Sequence, residues 1–194
     1  MIECHIAPSP LGHLAYRAED GCLTGLFFVG QKHFPAGLID TGPPKSHAIV
    51  VAKEQIAEYF AGERTVFSVP LRLNGTEFQQ RVWAALQEIP FGASWTYGDL
   101  ARRMGVAAGA SRAVGGANGR NPVGIIVPCH RVIGADGELT GYAGGVERKQ
   151  HLLTLEGGTG TCATHVVLNA LPGSLWKSIK TPAIATRLRG GLRF

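Results

Sequence analysis

The sequence predicts a mixed α+β protein of two domains, followed by a basic tail. Three observations support this: alternating apolar stretches before residue 74, amphipathic helical stretches after it, and a loss of periodicity from Gly158 onward. They place an N-terminal α/β domain at residues 1–74, a mostly helical domain with a helix-turn-helix at residues 75–157, and the tail at residues 158–194. A chain of 194 residues is long enough for two small domains that share an interface.

The first domain contains predicted strands and one predicted helix. LAYRA and CLTGLFFVG read as strands, the second bounded by Gly21 and Gly30. SHAIVVAKEQIAEYFAGE predicts a helix, because its apolar residues recur at helical spacing between an N-cap at Ser46 and a stop at Gly62. TVFSVPLRL returns to alternation and predicts a strand that leads into the second domain.

Four helices are predicted in the second domain. TEFQQRVWAALQEI is amphipathic and stops at Pro90, and its aromatic residues Phe78 and Trp83 are predicted to lie in the core. TYGDLARRMG and SRAVGGANGRN are two short helices with a tight connection, a pattern typical of a helix-turn-helix. KQHLLTLE predicts the last helix.

The second short helix is unusually rich in small residues. Gly115 and Gly116 are poor choices for helix stability, since a glycine costs about 1 kcal/mol relative to alanine inside a helix, and Ala113 and Ala117 are also small. Such residues allow a bulky object to approach the backbone closely. A duplex groove is one candidate for that object, and a tightly packed neighbouring helix is the other.

Composition and cysteine usage narrow the class of protein. The chain has 45% apolar and 17% charged residues, which is typical of a globular protein. It shows no apolar run that would span a membrane and no secretory signal, so we expect a cytoplasmic protein. Its four cysteines form no C-x-x-C pair, which favours a reducing compartment over a disulfide framework.

The net charge of +5 is unevenly distributed. The tail holds five bases and no acid, so residues 1–157 are neutral overall. Between Leu100 and Ala135 there are five arginines and no acid. Such a patch is typical of a phosphate-binding surface, and the alternative is a solvated helix face. The five residues are Arg102, Arg103, Arg112, Arg120 and Arg131.

The stretch PVGIIVPCHRVIG places a thiol, an imidazole and a guanidinium side by side in an apolar run. A lone cysteine there is usually a small buried hydrophobic residue, but the adjacent His130 and Arg131 need partners if they are buried. A thiol with a pKa of about 8.5 needs a base or positive surroundings to become a nucleophile. His130 contacts Cys129 directly only if Pro128 sets a turn, and otherwise through a water molecule. Glu156 is the candidate acceptor that orients His130.

Four long segments carry a family resemblance. They are GTEFQQRVWAALQEIPFG, TYGDLARRMG, SRAVGGANGRNPVGIIVPCHRVIG and GYAGGVERKQHLLTLEG, which together cover about residues 75–157. In order and nearly in spacing they resemble the O6-alkylguanine-DNA alkyltransferases, also called methylated-DNA–protein-cysteine methyltransferases. Residues 1–74 match more loosely, through SPLG and AEYFAGE. The resemblance implies a ribonuclease-H-like first domain and a winged-helix-like second domain.

The resemblance also implies an activity. It is DNA repair by direct reversal, in which the alkyl group of O6-methylguanine, and as a further substrate O4-methylthymine, is transferred irreversibly to a cysteine after base flipping. The implied protein is a single-turnover methyltransferase with no cofactor and no metal, a monomer in solution, whose partner is double-stranded DNA. The alternative is a non-catalytic, alkyltransferase-like protein that binds damaged DNA, although relatives of that kind lack the cysteine that this chain keeps.

Matched to the family position by position, Cys129 is the alkyl acceptor, His130 the base that acts through a water molecule, and Glu156 the carboxylate that orients it. Asn121 matches the residue that ties the active-site turn to the helix-turn-helix.

Further matches concern the base and the duplex. Tyr97 and Lys149 match donors to the ring nitrogen and the oxygen of the departing guanine, and Arg112 matches the arginine that replaces the flipped base in the stack. The remaining DNA-binding matches are Ala113, Gly115 and Gly116, with Tyr97 beside them, and the pocket residues are Val132, Tyr142, Ala143 and Asn118.

Three features depart from the family's pattern. The turn GVAAGAS between the two short helices lacks the usual proline and is one residue longer, which bears on how Tyr97 and Arg112 are placed. Cys22 does not fall where some relatives have a structural zinc ligand, so we expect no zinc, although Cys4, His5 and His33 are present. The tail matches nothing in the pattern, and is interpreted as a poorly ordered basic segment or as added affinity for phosphates.

Overall fold

The structure is a computed structural model that describes residues 2–157, and its architecture is mixed α+β. Three antiparallel strands form one sheet in the order β1 (Ile2–Ala7), β2 (Leu14–Glu19) and β3 (Cys22–Phe28), and α1 (His47–Phe60) packs on β2 and β3. The predictions for LAYRA, CLTGLFFVG and the helix are confirmed. β1 is absent from the sequence-based prediction, because the polar residues within IECHIA hide its apolar positions.

The second part of the chain is mostly helical, and its four predicted helices are confirmed. Thr76 begins the first of them with a capping box, in which its side chain accepts from the Gln79 backbone and the Gln79 side chain accepts from the Thr76 backbone. The elements are α2 (Glu77–Leu86), β4 (Trp95–Thr96), α3 (Tyr97–Arg103), α4 (Ser111–Asn118), β5 (Val132–Ile133) and α5 (Val146–Leu155), and β4 pairs with β5 in parallel.

One strand prediction is wrong. TVFSVPLRL forms no strand, and only Leu71 pairs with Leu23 in an isolated parallel bridge. The Leu23 N–H donates to the Pro70 carbonyl at 2.8 Å, and the Arg72 N–H donates to the Leu23 carbonyl at 3.0 Å. Pro70 has no N–H to continue a ladder, which limits the pairing to this single step.

The N-terminal sheet holds the segment that precedes Cys129. The Leu26 N–H of β3 donates to the Pro122 carbonyl, and the Gly124 N–H donates to the Leu26 carbonyl, both at 2.9 Å. Ile125 follows with φ of +68°, which is unusual for a β-branched residue and turns the apolar run back on itself. One buried core runs from the sheet to α5, so the predicted domain boundary near residue 74 stays a prediction.

Three further sequence-based predictions concern the tail, membrane-spanning segments and a metal site. The tail, with Cys162, lies outside the described residues. Among residues 2–157, no helix is both long and apolar enough to cross a membrane. In the same range no three His, Cys, Asp or Glu side chains come together as a metal site, and Cys4 and Cys22 are free thiols.

Candidate active site

Cys129 begins a short turn rather than lying on a strand. Pro128 precedes it with φ −83° and ψ 59°, and Cys129–Arg131 form one turn of 3-10 helix. The Cys129 N–H donates to the Val127 carbonyl at 2.8 Å, which tightens the bend. The turn expected at Pro128 is therefore present, and it brings Cys129, His130 and Arg131 into the interior, with His130 fully buried.

Asn121 links the end of α4 to the thiol. Its amide Nδ2 donates to the Cys129 sulfur at 3.1 Å and to the Val127 carbonyl at 2.8 Å. Its Oδ1 accepts from the Val123 N–H at 3.0 Å, which fixes the orientation of the amide group. A donor aimed at the sulfur favours the thiolate over the thiol.

The Glu156 carboxylate is the hub of the buried charges. It accepts from His130 Nε2 at 2.8 Å, from Arg131 Nε at 2.7 Å and from Arg131 Nη2 at 3.0 Å. Arg131 also donates from Nη1 to the Ile89 carbonyl at 2.7 Å and lies over the Phe91 ring. The partner of Arg131, which the sequence alone left open between an ion pair and a phosphate, is therefore Glu156 within the fold.

These contacts set the protonation states of the site. Burial acts to raise the pKa of Glu156, but the hydrogen bonds from His130 and Arg131 prevail and lower it to about 2. Burial lowers the pKa of His130 below its usual value. Because Glu156 is ionised, His130 Nε2 carries the proton, and Nδ1, which has no hydrogen-bond partner among residues 2–157, keeps its lone pair.

Burial also raises the pKa of the Cys129 thiol, and two neighbours oppose this effect. They are the Asn121 hydrogen bond and the positive charge of Lys149. In the resting protein Cys129 is therefore a thiol, and a base is needed to make it a nucleophile. His130 is the neighbouring residue with an unoccupied basic nitrogen.

Stability should depend on pH through Glu156. A carboxyl whose pKa falls from 4.5 to about 2 on folding stabilises the protein above pH 4.5, and this contribution is lost as the pH falls toward 2. The loss should be about 3 kcal/mol, the free-energy equivalent of the pKa shift. Chemical unfolding between pH 5 and pH 2 should show a shallower pH dependence for Glu156→Gln than for the wild type, and parallel curves would contradict the assignment.

Lys149 and Tyr97 are the predicted donors to the guanine, and both lie close enough to Cys129 for its charge to affect their pKa. Lys149 is fully buried in α5 and donates to the Val132 carbonyl and to the Thr140 carbonyl, the latter at 2.7 Å. Burial lowers its pKa to about 8, although the nearby Cys129 opposes this. The Tyr97 hydroxyl donates to the same Thr140 carbonyl at 3.4 Å, so the two predicted donors meet at one oxygen.

Of the predicted pocket residues, Tyr142 and Asn118 contact the turn, and Val132 follows it directly. The Tyr142 ring stands edge-on to His130, with ring centroids 6.4 Å apart, and Ala143 beside it accepts from the Lys32 N–H at 3.0 Å. Asn118 is buried and its Nδ2 lies 3.4 Å from the Cys129 carbonyl. The Val132 carbonyl, by contrast, already accepts from Lys149.

The small residues of α4 differ in exposure, and Ala117 is buried. Arg112 and Ala113 are exposed, and Gly115 and Gly116 are half-buried, while Val114 faces the core. A methyl group at Gly115 would meet the Tyr97 ring at 3.5 Å, an ordinary contact distance. Tight packing against Tyr97 therefore does not require glycine at this position, whereas Ala117 is buried beside Trp83, whose Nε1 donates to its carbonyl at 2.9 Å. The close approach of an external object to Ala113, Gly115 and Gly116 stays a prediction.

One contact of the site has no counterpart in the sequence-based prediction. The Tyr59 hydroxyl of α1 donates to Glu156 Oε1 at 2.8 Å. Tyr59 is part of the apolar face of its helix, and nothing in that pattern distinguishes it from a core aromatic residue. The only available signal is that a buried tyrosine needs a partner for its hydroxyl.

The site is of a recognisable class. A buried thiol with a donor on its sulfur stands beside a histidine–carboxylate pair, next to the helix α4, whose exposed residues are Arg112 and Ala113. This arrangement is typical of a protein with a nucleophilic cysteine. Residues 77–158 match the family model described as 6-O-methylguanine DNA methyltransferase, DNA binding domain, and residues 2–73 match its ribonuclease-like domain. The chain belongs to the 6-O-methylguanine DNA methyltransferase family.

Individual relatives agree with this assignment. The methylated-DNA–protein-cysteine methyltransferase of Mycolicibacterium paratuberculosis is 53% identical over 156 residues, which are 80% of this chain and 93% of the relative. The constitutive enzyme of the same name from Bacillus subtilis is 46% identical over 153 residues, covering 77% and 92%. The crystal structure of Mycobacterium tuberculosis OGT in complex with DNA is similar with a TM-score of 0.74 and 49% identity, covering 79% and 92%.

Proposed function

We propose that this protein repairs O6-methylguanine in duplex DNA by transferring the methyl group to Cys129. The observation that carries this proposal is the geometry at the sulfur: a buried thiol with the Asn121 amide at 3.1 Å, beside a His130–Glu156 pair joined at 2.8 Å. O4-methylthymine carries its methyl group on a comparable exocyclic oxygen and is proposed as a second substrate.

The first step is removal of the thiol proton. His130 Nδ1 is the acceptor, through a water molecule, since Nε2 is committed to Glu156. The proton that arrives at Nδ1 makes an imidazolium, whose charge Glu156 stabilises. The thiolate that remains is stabilised by the Asn121 amide and by the charge of Lys149.

The second step is displacement at carbon. The sulfur electron pair forms a bond to the methyl carbon, the bond between that carbon and the guanine oxygen breaks, and its electron pair stays on the base. Donors must stabilise the charge of the leaving guanine. Tyr97 and Lys149 are proposed for this task, and Lys149, with two of its three protons on carbonyls, retains one to donate. The product is a thioether, which has no route back, so each molecule reacts once.

The duplex is proposed to bind on α4. α3 and α4 form a helix-turn-helix within a winged-helix-like domain beside a ribonuclease-H-like domain, and α4 enters the minor groove through Ala113, Gly115 and Gly116. The exposure of Ala113 and the partial exposure of Gly115 and Gly116 support the proposal. The target base is flipped into the pocket, and Arg112 takes its place in the stack.

Replacing Arg112 with alanine should separate duplex repair from the chemistry. Repair of a methylated duplex should slow about tenfold or more, because only the duplex requires flipping, while reaction with the free base O6-benzylguanine should stay about the same. Single-turnover rates on the two substrates measure this. Arg64→Ala is the matched control, since Arg64 pairs with Glu58 and lies outside the proposed DNA surface. Equal losses on both substrates would contradict the role of Arg112.

The direct test of the proposed function is mass spectrometry of the peptide that contains Cys129. After incubation with O6-methylguanine duplex, this peptide should gain the mass of one methyl group, in an amount that never exceeds one per protein. Binding to the lesion without a methylated peptide would instead support the non-catalytic, damage-binding alternative.

A further inference from the structure

The Glu156 carboxylate receives hydrogen bonds from both parts of the chain. His130 and Arg131 belong to the turn at the thiol, whereas Tyr59 belongs to α1 and lies 97 residues away from Glu156 in sequence. Tyr59 and His130 donate to the same oxygen, Oε1, each at 2.8 Å. The N-terminal part of the chain therefore contacts the same oxygen that orients the proposed base.

The ring of Tyr59 packs in the core, whereas its hydroxyl donates a hydrogen bond. The ring is a core group, 1% exposed, with Phe60, Phe67 and Phe91 around it at centroid distances of 5.4 to 6.3 Å. A phenylalanine would fill the same space. The hydroxyl has one hydrogen-bond partner among the described residues, Glu156, and both burial and the charge of that carboxylate keep it protonated by raising its pKa. The hydroxyl is thus a permanent donor.

A further donor on a carboxylate oxygen has a predictable effect on the other donors. It spreads the negative charge and makes the oxygen a weaker acceptor, so the charge offers less stabilisation to a protonated imidazole. The other charged or titratable groups that face His130 and Glu156 are Cys129 and Arg131 from the turn, Lys149 from α5, and Tyr142 from the loop before α5.

We propose that Tyr59 is a positioning residue. Its hydroxyl orients the Glu156 carboxylate toward His130 and lowers the proton affinity of His130. α1 thereby keeps His130 neutral and able to accept the thiol proton. This inference rests on the proposed function in one respect, namely that His130 is the base in the transfer.

Two variants change the strength of the hydrogen bond that residue 59 donates to Glu156, in opposite directions. Tyr59→Phe removes the donor, and replacing Tyr59 with a difluorotyrosine, whose phenol is more acidic, strengthens it. Titration of His130 by NMR in histidine-labelled protein, assigned with His130→Asn, should give a midpoint that is higher by roughly 0.5 to 1 pH unit in Tyr59→Phe and lower in the fluorinated protein. The acidic limb of the single-turnover rate profile should move in the same directions.

Tyr16→Phe is the matched control. Tyr16 is a tyrosine of β2 that is 2% exposed, so its hydroxyl is removed from an equally buried ring with no recorded contact to Glu156. The His130 midpoint should be unchanged in this variant. A role of Tyr59 in packing alone would move neither the midpoint nor the acidic limb, whereas the proposed role moves both.

The outcomes separate this inference from the proposed function. If the wild type methylates Cys129 but both Tyr59 variants titrate like the wild type, the inference is overturned and the function stands. If the wild type transfers no methyl group, the function falls, and the NMR midpoints still decide whether Tyr59 sets the proton affinity of His130. Should Tyr59→Phe fail to fold, the fluorinated protein, which keeps every atom of the hydroxyl, decides alone.

Discussion

Replacing Cys129 with serine should abolish methyl transfer, slowing it by about a thousandfold or more. The serine hydroxyl is far less acidic than the thiol and a poorer nucleophile, and His130 has too little basicity to compensate. Single-turnover assays with a methylated duplex, followed by mass spectrometry of the peptide, measure the loss. Lesion binding should be retained, since Cys129 is 5% exposed and lies below the DNA surface proposed on α4.

Cys22→Ser is the matched control for this variant. Cys22 is also a free thiol, but it is half-buried at the start of β3 and makes no recorded contact with the site. The Cys22→Ser variant should accept the methyl group at the wild-type rate. Methylation that persists in Cys129→Ser, or that appears on Cys22, would overturn the assignment of the acceptor.

Replacing Glu156 with alanine should have the largest effect on stability. Arg131 is 6% exposed, and without Glu156 its guanidinium stays buried with no counter-charge. Removing one partner of a buried ion pair costs about 3–5 kcal/mol of unfolding free energy, because the remaining charge is left uncompensated. The same variant should transfer slowly, since His130 loses the acceptor that fixes its proton on Nε2.

A second carboxylate provides the comparison. Glu88 pairs with Arg103 on the surface, where the side chains are 45% and 59% exposed. Glu88→Ala should cost less than about 1 kcal/mol, because water screens exposed pairs. Urea unfolding at neutral pH measures both variants. Similar losses in the two would show that the Glu156 network is no more than an ordinary ion pair.

Local patterns in the sequence were sufficient for most elements of the fold. The helices from Thr76 onward follow from their sequence patterns, and the structure adds capping boxes to α2 and α3. The wrong strand prediction concerns a segment whose structure depends on which strand it pairs with. TVFSVPLRL alternates like a strand, but among the described residues its only strand pairing is with Leu23 of β3, a fact that depends on tertiary contacts.

Only two kinds of information predicted site residues, namely adjacency in the sequence and the family resemblance. The adjacency of Cys129, His130 and Arg131 indicates chemistry by itself, and the resemblance added Glu156 as the orienting carboxylate. The partner of Arg131 could not be deduced, because Glu156 and Ile89 are brought to it by packing. Tyr59 was hidden for the same reason, since its hydroxyl is directed at a residue in another part of the fold.

The hydrogen bond between Tyr59 and Glu156 has a consequence for folding of the chain during its synthesis. On a ribosome, a chain that has not yet released its segment around Glu156 has no acceptor for His130, Arg131 or Tyr59. Contacts between such distant positions form late in folding, so the thiol of a partly made chain is that of an ordinary cysteine. The cysteine therefore acquires the His130–Glu156 pair beside it only when α5 has docked.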